Sequence, residues 1–282
     1  MSSPTSLLGI LFALASAVVY GGGDFTGGLA TRRCSPFQAL ALSAASGMLV
    51  LAAAALLVGE GFPSSAGMLW AALAGLSASV GIAALYRALA TERAAGVAPT
   101  SAVVGALVPV IYAAVLDGLP ALTKLAGFAL AMIGIWLVTG DSRAEASISR
   151  RGLLLASLAG IGFGGYFICI GLVDAGKILT PLVIARSVAM LAGLVLIWTN
   201  RLRLPSLREN RLALLAGLLD AAGNLLFILS KQYTRLDIAA VLSSIYPAST
   251  VLLAAVILKE KISRRQGLGV LVCLGAIAMI SL

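Results

Sequence analysis

Charge is scarce in this sequence: charged residues are 11% of the total, and 60% are hydrophobic. A soluble domain carries roughly 25% charged residues, so this chain cannot cover itself in water. Histidine is absent, which excludes an imidazole proton relay and a histidine-ligated metal site. The three cysteines, Cys34, Cys169 and Cys273, are too scattered for a disulfide framework or a zinc site. Cys34 is loop-adjacent, and the other two read as small packing residues. No Gly-x-x-x-x-Gly-Lys-Ser/Thr loop occurs, so ATP is not a direct energy source. No basic region precedes the first apolar run, which therefore reads as a mature helix and not a cleaved leader. No cofactor and no metal are expected.

What the chain does have is apolar length. Mean hydropathy is +1.05, and a helix needs about 20 apolar residues to cross a bilayer. Ten segments meet or approach that length: 7–29, 37–58, 66–88, 94–116, 121–140, 152–173, 178–200, 211–232, 238–258 and 266–282. The fifth and tenth are the weakest by length.

The most polar stretch, Gly140 to Arg151, lies at the middle of the chain and points to an internal repeat. Gly9 matches Gly152, Tyr20-Gly21-Gly22 falls on Phe163-Gly164-Gly165, and Gly28 falls on Gly171. One position less of offset brings Ala74-Gly75 onto Ala216-Gly217, Gly81 onto Gly223, and Leu116…Gly127 onto Leu258…Gly269. The expected organisation is a first five-helix repeat (1–140), a polar linker (141–151) and a second five-helix repeat (152–282).

Net charge is +9, and its placement sets orientation. Of the 20 Lys and Arg, 15 lie in or beside the odd-numbered loops, four at the other end, and Arg186 inside a span. By the positive-inside rule the odd loops are cytoplasmic and both termini are outside. Five spans per half then make the halves antiparallel. The fold class is an all-α membrane protein: ten transmembrane helices as two five-helix inverted repeats. Basic clusters distributed in this way orient a chain in lipid, and nucleic acid is not an expected partner. The expected partners are the bilayer and a small-molecule substrate, with a monomer as the unit.

Several motifs carry a family resemblance. Tyr20-Gly-Gly-Gly-Asp24-Phe-Thr-Gly-Gly-Leu-Ala-Thr-Arg-Arg33 looks like the end of the first span and following loop of a known group. Tyr86-Arg-Ala-Leu-Ala, Val97-Ala-Pro-Thr and Pro109 resemble its third and fourth spans. Ser243-Ser-Ile-Tyr-Pro247 and Leu258-Lys-Glu-Lys-Ile-Ser resemble its end-of-repeat signature, usually Leu-Gly-Glu. Over the whole chain the sequence resembles the drug/metabolite transporter superfamily, in particular the EamA-type transporters. That resemblance implies export of amino acids or other metabolites; relatives carry nucleotide sugars, sugar phosphates or drugs. Many ten-helix relatives have cytoplasmic termini, whereas the Lys/Arg distribution here places them outside.

Ionisable residues inside a membrane mark functional candidates. Four stand out: Asp24, Arg87, Arg186 and Asp220. Asp220, Asn224, Phe227 and Lys231 recur at helical spacing on one stripe, either lining a cavity or making inter-helix hydrogen bonds. Tyr20 and Asp24 are i, i+4 neighbours among glycines. Asp24 is read as a proton or substrate partner, or as the ion-pair partner of Arg87. Arg186 could clamp a carboxylate or only neutralise Asp220, and Arg87 reads as an interfacial, snorkelling side chain. Trp70, Trp136 and Trp198 sit near segment ends as belt residues, and Pro109 and Pro247 read as kinks.

The expected function is a secondary transporter in the plasma (inner) membrane. It would export a small metabolite such as an amino acid by alternating access, with proton coupling through Asp24. Substrate contacts are assigned to Asp220, Asn224, Arg186, Tyr20 and Phe227. Efflux of lipophilic cations is the alternative within the class. A lipid-modifying membrane enzyme is the rival outside it, but it would need clustered carboxylates or a nucleophile–base pair on a loop. A scaffold or signalling protein is a third class. No enzymatic activity is expected.

Overall fold

The computed structural model describes residues 4–91, 94–139, 149–204, 207, 210–259 and 261–281. Ten of its helical segments are long and apolar enough to cross a membrane. They are built from α1 (Pro4–Ala30), α2 (Pro36–Val58), α3 (Ser65–Thr91), α4 (Ala94–Leu116), α5 (Leu122–Thr139), α6 (Arg150–Gly171), α7 (Leu179–Thr199), α8 (Arg211–Tyr233), α9 (Leu236–Ser243), α10 (Tyr246–Ile257) and α11 (Arg264–Ser281). The ninth span, expected as one helix over 238–258, is instead two pieces, α9 and α10. It breaks at Ser244–Ile245, and Pro247 sits in the first turn of α10, where it cannot donate a hydrogen bond back to α9. The expected linker 141–151 falls mostly outside the described residues; of it, Ser149 caps α6 by accepting a hydrogen bond from Gly152 N at 3.0 Å.

Local chemistry sets several helix ends. α2 opens on a capping box in which Ser35 and Gln38 bond reciprocally and Pro36 occupies the first turn, and it closes at Gly59 in the left-handed region (φ 70°). Large side chains such as Leu11, Val18, Leu57, Ile111 and Leu154 point outward, where hydrocarbon solvates them. Trp136 and Trp198 are also exposed, in positions suited to an aromatic belt.

Packing follows the repeat. α1 lies on α8 as α6 lies on α3, α2 on α8 as α7 on α3, and α1 on α9 as α6 on α4. α5 pairs with α11, and α2 with α7. Individual contacts obey the same exchange. Tyr20 covers Gly223, and its counterpart Phe163 covers Gly81. Gly217 lies against Ser43 and Ser46, and Gly75 against Ala185 and Val188. Gly127 meets Met279 and Ile280, and Gly269 meets Leu137 and Val138. The glycines are needed because, without a solvent-driven hydrophobic force in lipid, helices associate by close backbone approach.

Candidate functional site

The central site is where α1, α6, α7, α8 and α10 converge. Ser16 anchors α1 on α8 by donating from its hydroxyl to Gly223 O at 2.8 Å. One turn further, the Tyr20 hydroxyl donates to Asn224 Oδ1 at 2.7 Å. Tyr166 of α6 donates to the same oxygen, and Asn224 Nδ2 donates to Asp220 O at 2.6 Å. Both lone-pair positions of the Asn224 carbonyl are thereby filled. Arg186 of α7 forms an ion pair with Asp220; their side chains are 12% and 37% exposed.

Rings form a layer beneath this polar cluster. Tyr20 sits 6.3 Å from Tyr246 and 6.4 Å from Phe167, and Tyr166 5.8 Å from Phe167. Phe167 in turn packs 4.7 Å from Phe227. Phe227, expected among the substrate-binding side chains, is fully enclosed. It lies on the Asp220 stripe, but seven residues along α8 is about 10 Å of rise, which carries it below the layer of tyrosines. It supports the site from behind. Lys231, last on that stripe, borders a separate cleft of about 410 Å³ with Asp174 and Lys177, away from the polar cluster.

Asp24 does not pair with Arg87, and among the described residues it has no ion-pair or hydrogen-bond partner. At 100° per residue Asp24 and Tyr20 share a face of α1, roughly opposite the lipid-facing Leu11 and Val18. That face grades from closed to open. Ile10, Ala13 and Ala17 are buried, Tyr20 is half-buried and Asp24 is exposed. The face therefore opens toward the end bearing the odd-numbered loops, where Asp24 lies.

The opposite end is tied shut by loop contacts. Asp174 accepts from both the backbone N and the hydroxyl of Ser64. Glu60 accepts from Thr180 N at 2.8 Å and Thr180 Oγ1 at 2.9 Å, and Lys177 Nζ donates to Gly61 O at 3.0 Å. The Ser64 bonds hold the Asp174 carboxyl below its ordinary range. Burial pushes Glu60 upward, but its hydrogen bonds to Thr180, Leu179 and Ile178 outweigh this and leave it lowered.

The polar groups are unevenly shared between the repeats. The counterparts of Asp220 and Asn224 in α3 are Ala78 and Ile82, that of Arg186 in α2 is Ala44, and that of Asp24 in α6 is Phe167. Sequence reasoning brought Asp24, Tyr20, Arg186, Asp220 and Asn224 together, and the structure gathers the last four in direct contact. It missed Tyr166 and Tyr246. Tyr166 had a signal: it replaces the Gly23 of the otherwise matching glycine run. Among the described residues no group of His, Cys, Asp or Glu could hold a metal ion.

A solved crystal structure of a protein superposes with a TM-score of 0.79, covering 100% of this chain and 99% of that one at 18% identity. This likeness speaks to the fold alone. No curated protein matches the sequence. The family model described as the EamA-like transporter family matches twice, over residues 7–140 and 150–282. A match to each half, on ten membrane-spanning helices built as a duplicated bundle, makes this chain a multi-pass membrane protein that belongs to the EamA-like transporter family.

Proposed function

We propose that this protein is a secondary transporter of the plasma membrane, exporting a small metabolite such as an amino acid by alternating access and coupled to protons through Asp24. The observation that supports this reading best is the pair of carboxylates, Asp24 and Asp220, inside spans where helices of the two repeats meet and not fully enclosed by protein. Inverted-repeat transporters bind near the midplane at such a junction. Arg186, Asp220 and Tyr20 are the proposed substrate contacts. Asn224 acts through the tyrosines it holds, and Phe227 through the rings above it. Among the described residues Asp24 has no ion-pair partner, which suits it to exchange a proton for a substrate group. The proposed working unit is the monomer, with both termini outside.

One observation favours a second substrate class. Arg186 is already neutralised by Asp220, whereas Asp24 lies near Tyr20 and Tyr246 with no ion-pair partner among the described residues. A cationic amine would be held by a carboxylate and by aromatic faces, with no free guanidinium to repel it.

The test is flux in proteoliposomes, driven by an imposed pH gradient or by counterflow without one. Asp24→Asn should abolish gradient-driven flux and spare counterflow. Equal loss of both, or survival of gradient-driven flux, would overturn the coupling assignment. Zwitterionic and cationic candidates run in parallel separate the two substrate classes.

A further inference from the structure

The half-helix α9 fills the space between the ring layer and the even-loop end. Residues 236–245 are buried without interruption, and α9 packs between α1 and α4. Its first turn is fastened by one side chain. Arg235 pairs with the fully buried Asp237 (Nη2–Oδ2 3.1 Å), and donates from Nη2 to Gly118 O at 2.9 Å and from Nη1 to Asp117 O at 3.3 Å. Asp237 in turn accepts from Ile238 N at 2.9 Å. A guanidinium thus sits at the carbonyl end of α4, where the helix dipole favours positive charge, and joins it to the start of α9.

Both ends of α9 are jointed. Thr234 and Arg235 connect it to α8, and Ser244–Ile245 to α10. Ser243 makes a long hydrogen bond to Ala13 O at 3.4 Å, and α10 begins at Tyr246, whose ring faces Tyr20 in the central site. By contrast, the loop contacts at this end join long, continuous helices.

We propose that α9 is the gate of the even-loop end: a plug latched to α4 by Arg235–Asp237, hinged at Ser244–Ile245, and joined to the substrate site through Tyr246. This rests on the transport reading only for its purpose, since opening and closing can be measured without a substrate.

In a cysteine-free protein, Asp24→Cys serves as a central reporter for a membrane-impermeant maleimide, applied to intact cells and to inverted vesicles. A control cysteine at Ser147 identifies which face carries the odd loops, so the result does not depend on orientation. The reporter should react readily from the odd-loop face and slowly from the even-loop face. Arg235→Gln and Asp237→Asn should each raise the even-face rate about tenfold or more, as expected when a charge-assisted contact made in one state only is removed. Arg235→Lys should raise it less. Retained reactivity from the odd-loop face shows that the variant is folded. An unchanged even-face rate in such folded variants overturns the proposal.

A measurement on the unsubstituted latch guards against variants that fail to fold. In hydrogen exchange of the wild-type protein in micelles, 236–245 should open as a unit ahead of α8 and α10. Protection equal to theirs also overturns the gate. If labelling responds but no solute moves in liposomes, the gate stands and the transport reading fails. If flux is present and labelling does not respond, the gate falls alone.

Discussion

Asp220→Asn removes one charge from the Arg186–Asp220 pair while keeping nearly the same shape, so its effect on stability reads the electrostatics with little packing change. Arg186 is 12% exposed and Asp220 37%, a geometry between two measured limits. Fully exposed pairs are worth about 0–1 kcal/mol, whereas breaking a fully buried pair costs about 3–5 kcal/mol because the remaining charge is stranded. The partial exposure of Asp220 argues for a value between these limits, about 1–3 kcal/mol for Asp220→Asn. The assay is reversible unfolding in mixed micelles, for the wild type, Asp220→Asn, Arg186→Gln and the double variant. Once the guanidinium is gone, losing the carboxylate should matter little, so the double variant should recover at least half of the summed single losses. Strict additivity of the two singles, within about 0.5 kcal/mol, would refute the claim that these groups hold one another.

Close helix approach predicts opposite signs for two glycines. Gly217→Ala places a Cβ against the Ser43 carbonyl and should cost about 1–3 kcal/mol; Gly28→Ala, with open space around it, should stabilise by about 0.5–1 kcal/mol, and thermal melts of both check this. Because Asp174 is held below the ordinary carboxylate range, its contribution is present above about pH 4 and is lost as pH falls through the lowered value. The melting temperatures of wild type and Asp174→Asn should therefore differ at pH 7 and converge only in strong acid; convergence already at pH 5 would contradict the hydrogen-bond account. Single cysteines at Ser3 and Ser147 test topology, with an impermeant reagent on intact cells expected to label the first and not the second.

Features set by local chain length were legible before folding was considered. α5 and α11, the weakest spans by sequence, are real helices of 18 residues each, because an apolar run in lipid has few alternatives to a helix. The duplication was legible because glycines recur at matching packing contacts in both halves, as at Gly81–Phe163 and Gly223–Tyr20. The break at Ser244–Ile245 was not legible, since hydropathy runs through it unchanged and Pro247 alone allows either a kink or a stop. Nor could the inward faces be read from amphipathicity: lipid and protein interior are both apolar, so the outward-facing Leu11 and the buried Ile10 look alike. Only ionisable residues and tyrosines marked the interior, and those near span ends, such as Asp237, escaped notice.

The uneven sharing of polar groups between the repeats has a thermodynamic consequence. Where the two halves match, exchanging them leaves the energy of the frame the same whether its vestibule faces one compartment or the other; the break between α9 and α10, absent from α4, is a departure from that match. Glycine contacts that come in matched pairs preserve that degeneracy. Arg186, Asp220, Asn224 and Asp24 break it, because Ala44, Ala78, Ile82 and Phe167 stand at the exchanged positions. The resting preference of the molecule for one facing is thus written in its unmatched features, these side chains and the broken ninth span among them. Editing the unmatched side chains should shift that preference while the matched glycine contacts are left alone.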